Sequence, residues 1–292
     1  MTIAMSILLN GLVSGGAFAI LAVGFSLVFG VAKILNVAHT AFYMVTSFLI
    51  VIFLRMGGFH ILPACLSAIV ITSVIGMLCY KFLFDRVKER ETAVMIISMA
   101  LAMLCQEILL LIFGGHQLRI PAFALGFVDI AGSRITYQQI IVIFSTGIIL
   151  YAVRILLFKT RLGNAIRTVA EDREIANLMG INVTRIYIIT MGISVALAGI
   201  AGAIVAPIYT VNPLMWMQPL VVVLAAVVLG GLGSVKGSVI AAFVLGFAET
   251  AVVFLAPSGS FLRGAISLIV MVIVLQFRPE GLFGVVFEEE RL

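Results

Sequence analysis

Long uncharged apolar stretches recur along this chain from one end to the other. Each runs for roughly 18 to 25 residues, the length that an α-helix needs to cross the hydrocarbon core of a bilayer. Of the 292 residues, 63% are hydrophobic and 11% are charged, and the mean hydropathy is +1.27. A soluble domain carries about a quarter charged residues. The sequence therefore predicts an all-α, polytopic transmembrane helical bundle without a soluble catalytic domain.

The apolar stretches predict about nine membrane-spanning helices. They lie near residues 7–30, 37–54, 59–84, 92–113, 137–158, 186–207, 219–233, 238–256 and 262–277. No linker divides the chain, so residues 1–292 are predicted to form a single transmembrane domain. Glycine-rich breaks at 30–38 and 230–237 hint at two related halves, which is how many transporters are built.

The basic residues predict the orientation of the bundle. With the amino terminus outside, Arg55, Arg119, Arg134 and Arg263 fall outside, and all the others of the 18 Lys and Arg residues fall on the cytoplasmic side. This is a strong positive-inside bias. The carboxyl terminus is then cytoplasmic. The net charge of +5 is spread over short loops rather than gathered in a patch with aromatic residues, so we predict no nucleic-acid partner.

Residues that carry enzyme and metal chemistry are scattered. Cys65, Cys79 and Cys105 lie inside apolar stretches without a Cys-x-x-Cys spacing, which is typical of small buried hydrophobic residues. The three His residues, at positions 39, 60 and 116, form no His-Glu-x-x-His pattern. There is also no nucleophile elbow and no phosphate-binding loop. We therefore predict no catalytic, cofactor-binding or metal-binding residues, and a protein that is not an enzyme.

One polar cytoplasmic loop, at about 159–185, interrupts the apolar pattern. Ala165, Ile166 and Val169 have helical spacing. Glu171-Asp172 can begin a second short helix, where acidic groups meet the positive end of the helix dipole, and Gly180 supplies the left-handed residue that ends it. A short surface helix between two spans fits a docking element for a groove in a partner. A solvated connector is the alternative.

Polar residues within predicted spans are candidates for a solute pathway, because they are costly in lipid. The segment from Asn36 to Thr40 precedes a short span, as expected of a broken helix whose amino end offers free N–H groups to a carboxylate. His39 either hydrogen-bonds a solute or satisfies its neighbours. Phe42 and Tyr43 are either pathway walls or packing residues.

The second pathway candidate is the glycine cluster of Gly230, Gly231 and Gly233. Glycine permits positive φ and close helix approach. The cluster therefore forms either a kink that corresponds to the break at Asn36–Thr40 or an ordinary tight turn.

Three further features concern the outer half of the predicted helical bundle. Glu107 and Glu249 are acids well inside predicted spans, where we favour structural hydrogen bonding over proton coupling. The external stretch 208–218 offers a surface for a solute-delivering protein. Trp216 within it is predicted to be an interfacial anchor.

The polar loop also carries a recognisable motif. Glu174-x-Ala176-x-x-x-Gly180 resembles the Glu-Ala-Ala-x-x-x-Gly coupling motif of ABC importer permeases. Other segments resemble, more closely still, the branched-chain amino acid permease family, which includes urea and amide importers. They are Gly11-Leu12-x-x-Gly15, Ile34-Leu35-Asn36-Val37-Ala38-His39, Phe42-Tyr43-Met44, Thr160-Arg161-Leu162-Gly163, Ala170-Glu171-Asp172, Leu178-Met179-Gly180-Ile181-Asn182, Ala198-Gly199-Ile200-Ala201-Gly202 and Val228-Leu229-Gly230-Gly231-Leu232-Gly233-Ser234-x-x-Gly237. The resemblance spans nearly the whole chain. Thr40 departs from the Gly that is usual there, and Ile175 replaces the first Ala of the general motif.

The resemblance implies the permease subunit of an ABC importer that carries a small polar solute across the bacterial inner membrane. The expected solutes are branched-chain or other amino acids. The chain itself would bind no cofactor, since ATP and Mg²⁺ would be bound by two cytoplasmic subunits. The other implied partners are a second homologous permease chain, expected to form a heterodimer, a periplasmic solute-binding protein and membrane lipid.

The predicted site residues fall into two groups. Those for ATPase coupling are Arg161, Gly163, Glu171, Asp172, Glu174, Ala176 and Gly180, and those for the translocation pathway are Asn36, His39, Thr40, Phe42, Tyr43, Gly230, Gly231 and Gly233. The alternative function is a secondary transporter or channel for a small amide or urea that works without an ATPase. It would need gradient-coupling acids near the midplane or a repeated filter, and the sequence shows neither.

Overall fold

The computed structural model describes residues 2–55, 57–130, 133–256, 259–278 and 281–283. Within these ranges the chain is a bundle of α-helices. They are α1 (Thr2–Ala32), α2 (His39–Arg55), α3 (Ile61–Cys79), α4 (Glu91–Phe113), α5 (Tyr137–Lys159), α6 (Arg161–Glu171), α7 (Arg173–Leu178), α8 (Val183–Val205), α9 (Met217–Gly230), α10 (Val235–Leu255) and α11 (Arg263–Phe277). A π-helical turn (Tyr80–Phe84) continues α3, and a 3₁₀ turn (Gly259–Leu262) precedes α11.

The helices confirm the predicted polytopic bundle and its approximate number of spans. In the described part of the chain, seven helices are long and apolar enough to cross a membrane. The apolar helices α2 and α9 have only 17 and 14 residues, and so fall short of a hydrocarbon core of about 30 Å. The nine predicted stretches thus correspond to seven full spans and two short helices. The single domain over 1–292 stays a prediction, and residues 284–292 of the predicted cytoplasmic tail lie outside the described ranges.

Helix α1 lies at the centre of the bundle. It packs most extensively on α10 and also contacts α8, α5 and α9. Gly15 of α1 and Gly246 of α10 face each other so closely that a Cβ on Gly246 would meet the backbone of Gly15. Small residues let helix backbones approach in a membrane, where packing rather than exclusion from water drives association.

The peripheral helices present apolar side chains outward. Leu111 of α4, Phe144 of α5 and Phe277 of α11 are 85%, 70% and 81% exposed. Lipid tails are a suitable solvent for such surfaces, because each helix satisfies its backbone polar groups internally.

A short hairpin that the sequence did not predict connects α4 to α5. Strands β1 (Phe127–Ile130) and β2 (Ser133–Thr136) pair antiparallel. The hydroxyls of Ser6 and Ser133 lie 2.9 Å apart, so the hairpin sits beside the amino-terminal end of α1. We call this the hairpin end of the bundle.

Helix α6 lies beside the other end of α1. Gly30 and Val31 of α1 line a cavity together with Ile166 and Ala170 of α6. We call this the coupling end. The polar loop of the sequence and the hairpin are thus at opposite ends of α1.

Candidate functional site

An unwound turn joins α1 to α2. The side-chain oxygen of Asn36 accepts a hydrogen bond of 3.1 Å from the N–H of Ala38. The hydroxyl of Ser98, in α4, accepts one of 3.0 Å from the N–H of Val37. The predicted break near Asn36 is confirmed. Two of its N–H groups, however, are bonded within the chain rather than left for a solute.

His39 joins three helices at this break. It is 1% exposed. Its Nε2 donates a hydrogen bond of 3.0 Å to the carbonyl of Leu21 in α1, and its Nδ1 lies 3.2 Å from the hydroxyl of Ser194 in α8. Because a carbonyl only accepts, Nε2 carries a proton. The hydroxyl of Ser194 donates at 2.8 Å to the carbonyl of Gly24, so its proton points to α1 rather than to Nδ1. This geometry is that of a side chain that satisfies its neighbours, and a contact of His39 with solute stays a prediction.

A cavity of about 340 Å³ lies between α1, α2, α8, α10, the start of α11, and the start of α9 with the segment before it. We call it the outer cavity. Its wall on α1 consists of Ser14, Ala17, Phe18 and Leu21, which share one helix face. Polar groups come from Tyr43, Tyr209, Asn212, Gln218, Glu249, Thr250 and Arg263. A concave site with an apolar wall and a few polar groups is the usual form of a small-molecule site.

The other predicted pathway residues of α2 differ in their surroundings. Tyr43 lines the outer cavity. Thr40 is fully buried, and its hydroxyl has no hydrogen-bond partner among the residues that the structure describes. Phe42 is buried as well. Of these side chains, Tyr43 is placed to meet a solute in the outer cavity.

A second cavity, of about 680 Å³ and mostly apolar, lies between α1, α5, α6 and α10. We call it the inner cavity. On α1 it is lined by Val23, Ser26, Leu27 and Gly30. At 3.6 residues per turn these residues lie on the face opposite to that of the outer cavity. Helix α1 therefore separates the two cavities.

Gly230, Gly231 and Gly233 form a tight turn between α9 and α10. Gly231 and Gly233 have φ angles of 95° and 85°, which glycine adopts without strain. A Cβ on Gly230 would overlap the backbone of Gly237, and one on Gly30 would lie 3.3 Å from the carbonyl oxygen of Gly233. The two glycine-rich breaks thus meet in space. The geometry is that of a packed turn, and a pathway role for these glycines stays a prediction.

Helix α6 begins at the coupling end with a side-chain cap. The hydroxyl of Thr160 accepts a hydrogen bond of 3.0 Å from the N–H of Gly163. A Cβ on Gly163 would overlap the backbone at the end of α5, so α6 folds closely against that helix. Ile166 and Val169 are buried, as their helical spacing predicted. The predicted coupling residues Arg161 and Glu171 are exposed.

Helix α7 has both predicted boundaries. The carboxylate of Asp172 accepts hydrogen bonds from the N–H of Glu174 at 2.8 Å and from the next N–H at 2.9 Å. Gly180 has a φ of 82°, and the N–H of Ile181 donates at 3.0 Å to the carbonyl of Ala176. This pattern is a Schellman ending. The acidic start and the glycine end are therefore confirmed as structure, while their role in coupling stays a prediction.

Helix α7 also presents apolar side chains that the sequence analysis did not assign to the site. Ile175, Leu178 and Met179 are 54%, 86% and 72% exposed. We call them the apolar tip. A polar groove of about 600 Å³ borders α7, and in it Arg173 lies 3.7 Å from Glu89. Three large apolar residues close together in a polar loop were the signal that could have identified the tip.

The prediction that Trp216 is an interfacial anchor is wrong. Trp216 is fully buried, and its Nε1 donates a hydrogen bond of 2.9 Å to the side-chain oxygen of Gln106. A buried indole needs such an acceptor, which α4 supplies.

The prediction of a structural hydrogen bond for Glu249 is confirmed. Its carboxylate accepts a hydrogen bond of 2.8 Å from the hydroxyl of Ser267.

Long apolar helices with apolar outward faces define an integral, multi-pass membrane protein. The sequence profile of the family described as "Branched-chain amino acid transport system / permease component" matches residues 7–275. The chain therefore belongs to this family, which is one of transport permeases and not of enzymes.

Individual relatives extend along nearly the whole chain. The high-affinity branched-chain amino acid transport system permease protein BraD of Pseudomonas aeruginosa is 29% identical over 294 residues, covering 95% of this chain and 94% of BraD. The permease protein LivH of Escherichia coli, of the same description, is 28% identical and covers 94% of each chain. The solved structure of PsaBC from Streptococcus pneumoniae in complex with Fab matches with a TM-score of 0.51 at 15% identity, over 93% of this chain and 90% of that one. At that identity the likeness concerns the fold alone.

Proposed function

We propose that this chain is the membrane permease subunit of an ATP-driven importer of branched-chain amino acids. The family and the descriptions of BraD and LivH support the solute class. The apolar tip on α7 is the observation that supports coupling to a separate ATPase. Two cytoplasmic subunits would bind ATP and Mg²⁺. A second, different permease chain and a periplasmic solute-binding protein would complete the assembly.

The apolar tip is suited to a helix-in-groove contact. Large apolar side chains gain about 25 cal/mol for each Å² removed from water, so a groove that covers the tip is favourable. The cap at Asp172 and the Schellman ending at Gly180 hold α7 in one conformation, which lowers the entropy cost of binding. Helix α6 contacts α1, α5 and α8, so a movement of the docked loop can reach the centre of the bundle.

The proposed orientation follows from charge. In the bacterial inner membrane the coupling end would face the cytoplasm, where the basic residues Arg154 and Lys159 at the end of α5 satisfy the positive-inside rule. The hairpin end, with the amino terminus, would face the periplasm. The outer cavity would then receive solute from the binding protein.

The test is a pair of matched substitutions, Leu178→Glu in the apolar tip and Leu125→Glu in the loop before the hairpin, two leucines that are 86% and 87% exposed. We expect Leu178→Glu to weaken co-purification of the ATPase subunit about tenfold, equal to about 1.4 kcal/mol, and to reduce leucine-stimulated ATP hydrolysis in nanodiscs. Leu125→Glu should leave both unchanged. Full recovery of the ATPase with Leu178→Glu would contradict the docking proposal. Uptake of urea or a small amide by the chain alone, in liposomes without ATP, would support the alternative of a secondary transporter or channel.

A further inference from the structure

The outer cavity contains one acid and one base. Glu249, in α10, is 3% exposed, and its carboxylate accepts a hydrogen bond of 2.8 Å from Ser267. Arg263, at the start of α11, is half-buried and lines the same cavity. A buried carboxylate is costly unless a cation or several donors compensate it. Ser267 and the side chain of Gln218 are neutral donors, so they supply only part of that compensation.

Glu249 and Arg263 do not form an ion pair with each other in the described structure. Among the described residues, the ion pairs within 4.0 Å are Lys88 with Asp85, Arg134 with Asp129, and Arg173 with Glu89. Glu249 and Arg263 therefore border the same space without an ion pair within 4.0 Å, although the charge of Arg263 acts on Glu249 across it. A ligand that carries a cation and an anion can pair with both residues and lose its water in exchange for two charge-assisted hydrogen bonds.

The rest of the cavity is small and has an apolar wall beside its neutral polar groups. Phe18 and Leu21 of α1, Val205 of α8 and Met215 before α9 line its wall. The volume of about 340 Å³ is at the lower end of the range of about 300–1,000 Å³ for ligand sites. The space suits a solute with few atoms whose third substituent is a hydrocarbon.

We infer that the outer cavity binds a free, zwitterionic amino acid with an apolar side chain, with its α-ammonium group on Glu249 and its α-carboxylate on Arg263. The inference rests on the proposed function and assigns residues to its solute. It also separates the solute classes of the family resemblance. Urea or an amide is neutral and would bring no counter-charge to Glu249 or Arg263, which a site built on charges disfavours.

Binding can be measured on the full-length chain in lipid nanodiscs, without the ATPase. Trp216 is the single Trp of the sequence and adjoins Met215 of the cavity wall, so its fluorescence reports ligand entry. The ligands are L-leucine, leucinamide, which lacks the carboxylate, 4-methylpentanoate, which lacks the ammonium group, and urea. We expect leucine to bind at least about tenfold more tightly than each of the others.

Two substitutions should remove this discrimination selectively. Glu249→Gln should abolish the advantage of leucine over 4-methylpentanoate and keep its advantage over leucinamide. Arg263→Gln should do the reverse. Glu91→Gln is the control, because Glu91 is an acid of the apolar helix α4 that does not line the outer cavity. It should behave like the unmodified chain.

The opposite results would overturn the inference. Equal binding of leucine, its single-charge analogues and urea to the unmodified chain would do so even if the Glu249 variant failed to fold. The inference would also fail if a folded Arg263→Gln variant still bound leucine more tightly than leucinamide, as the unmodified chain is expected to do. ATP-dependent leucine uptake by the assembled complex, without leucine binding to this chain, would reject the site and leave the proposed function standing. Absence of leucine uptake by that complex would reject the proposed function itself.

Discussion

His39 in α2 is hydrogen-bonded to the backbone of Leu21 in α1, with 3.0 Å between Nε2 and the carbonyl oxygen. Leu21 is a wall residue of the outer cavity, and Val23, two positions further along α1, is a wall residue of the inner cavity. The bond therefore holds α1 at the height in the bundle where the outer cavity ends and the inner cavity begins. We expect any change of access between the two sides to move this part of α1 relative to α2 and α8.

His39→Ala should lower the thermal stability of the bundle. The substitution removes the hydrogen bond to the carbonyl of Leu21 and opens a void, and the loss of a buried hydrogen-bond partner costs about 1–3 kcal/mol. Thermal unfolding in nanodiscs measures the effect. Ser194→Ala removes a smaller group, with its bond to Gly24 and its contact with the ring, but keeps the bond between His39 and Leu21, so it should cost less. His116→Ala, at an exposed position, is the control. If the His39→Ala chain unfolds at the same temperature as the His116→Ala control, this bond does not hold α1 in place.

Gly180→Ala should impair coupling more than folding. Gly180 has a φ of 82°, and an L-residue in the left-handed region costs about 1–2 kcal/mol. The cost falls on the ending of α7 and so on the position of the apolar tip. Solute-stimulated ATP hydrolysis by the assembled complex should fall, with membrane insertion unchanged. Gly147→Ala in α5 is the control, because a Cβ there meets nothing within 4 Å. Equal ATPase activity of the two variants would argue against a coupling role for α7.

The elements that could be predicted from sequence depend on local signals. Every predicted apolar stretch contains a helix, because the need to satisfy backbone groups in lipid leaves few other structures. The boundaries of α7 followed from Asp172 and Gly180, whose capping interactions involve residues only a few positions away. The unwound turn at Asn36 was found for a similar reason.

The features that could not be predicted depend on distant residues. His39 meets Ser194, 155 positions away, and Trp216 meets Gln106, 110 positions away. Hydropathy placed Trp216 at the membrane interface, where aromatic residues are common, and carried no information on an acceptor in α4. The outer cavity likewise combines Glu249 with a wall on α1, which no spacing within either helix reveals.

Gly246→Leu should prevent the native packing of α10 on α1. Gly246 faces the backbone of Gly15, so no rotation of a neighbouring side chain can make room for a larger residue. Close approach through small residues is a common basis of helix association in membranes. The fraction of purified protein that is monodisperse in mild detergent should fall sharply. Gly264→Leu, at a position in α11 with open space around it, should be tolerated. Monodisperse Gly246→Leu protein with wild-type stability would contradict this packing.

The hydrogen bond between Trp216 and Gln106 should appear as a coupling energy in a double-mutant cycle. Gln106→Met leaves the buried indole N–H without its acceptor, which costs about 1–3 kcal/mol. Trp216→Phe removes the donor and part of the packing. The chain with both substitutions has no unpaired indole, so its loss of stability should be smaller than the sum of the two single losses. Thermal unfolding of the four chains measures the difference. Strictly additive losses would mean that the 2.9 Å contact contributes nothing to stability, and that Trp216 is held by packing alone.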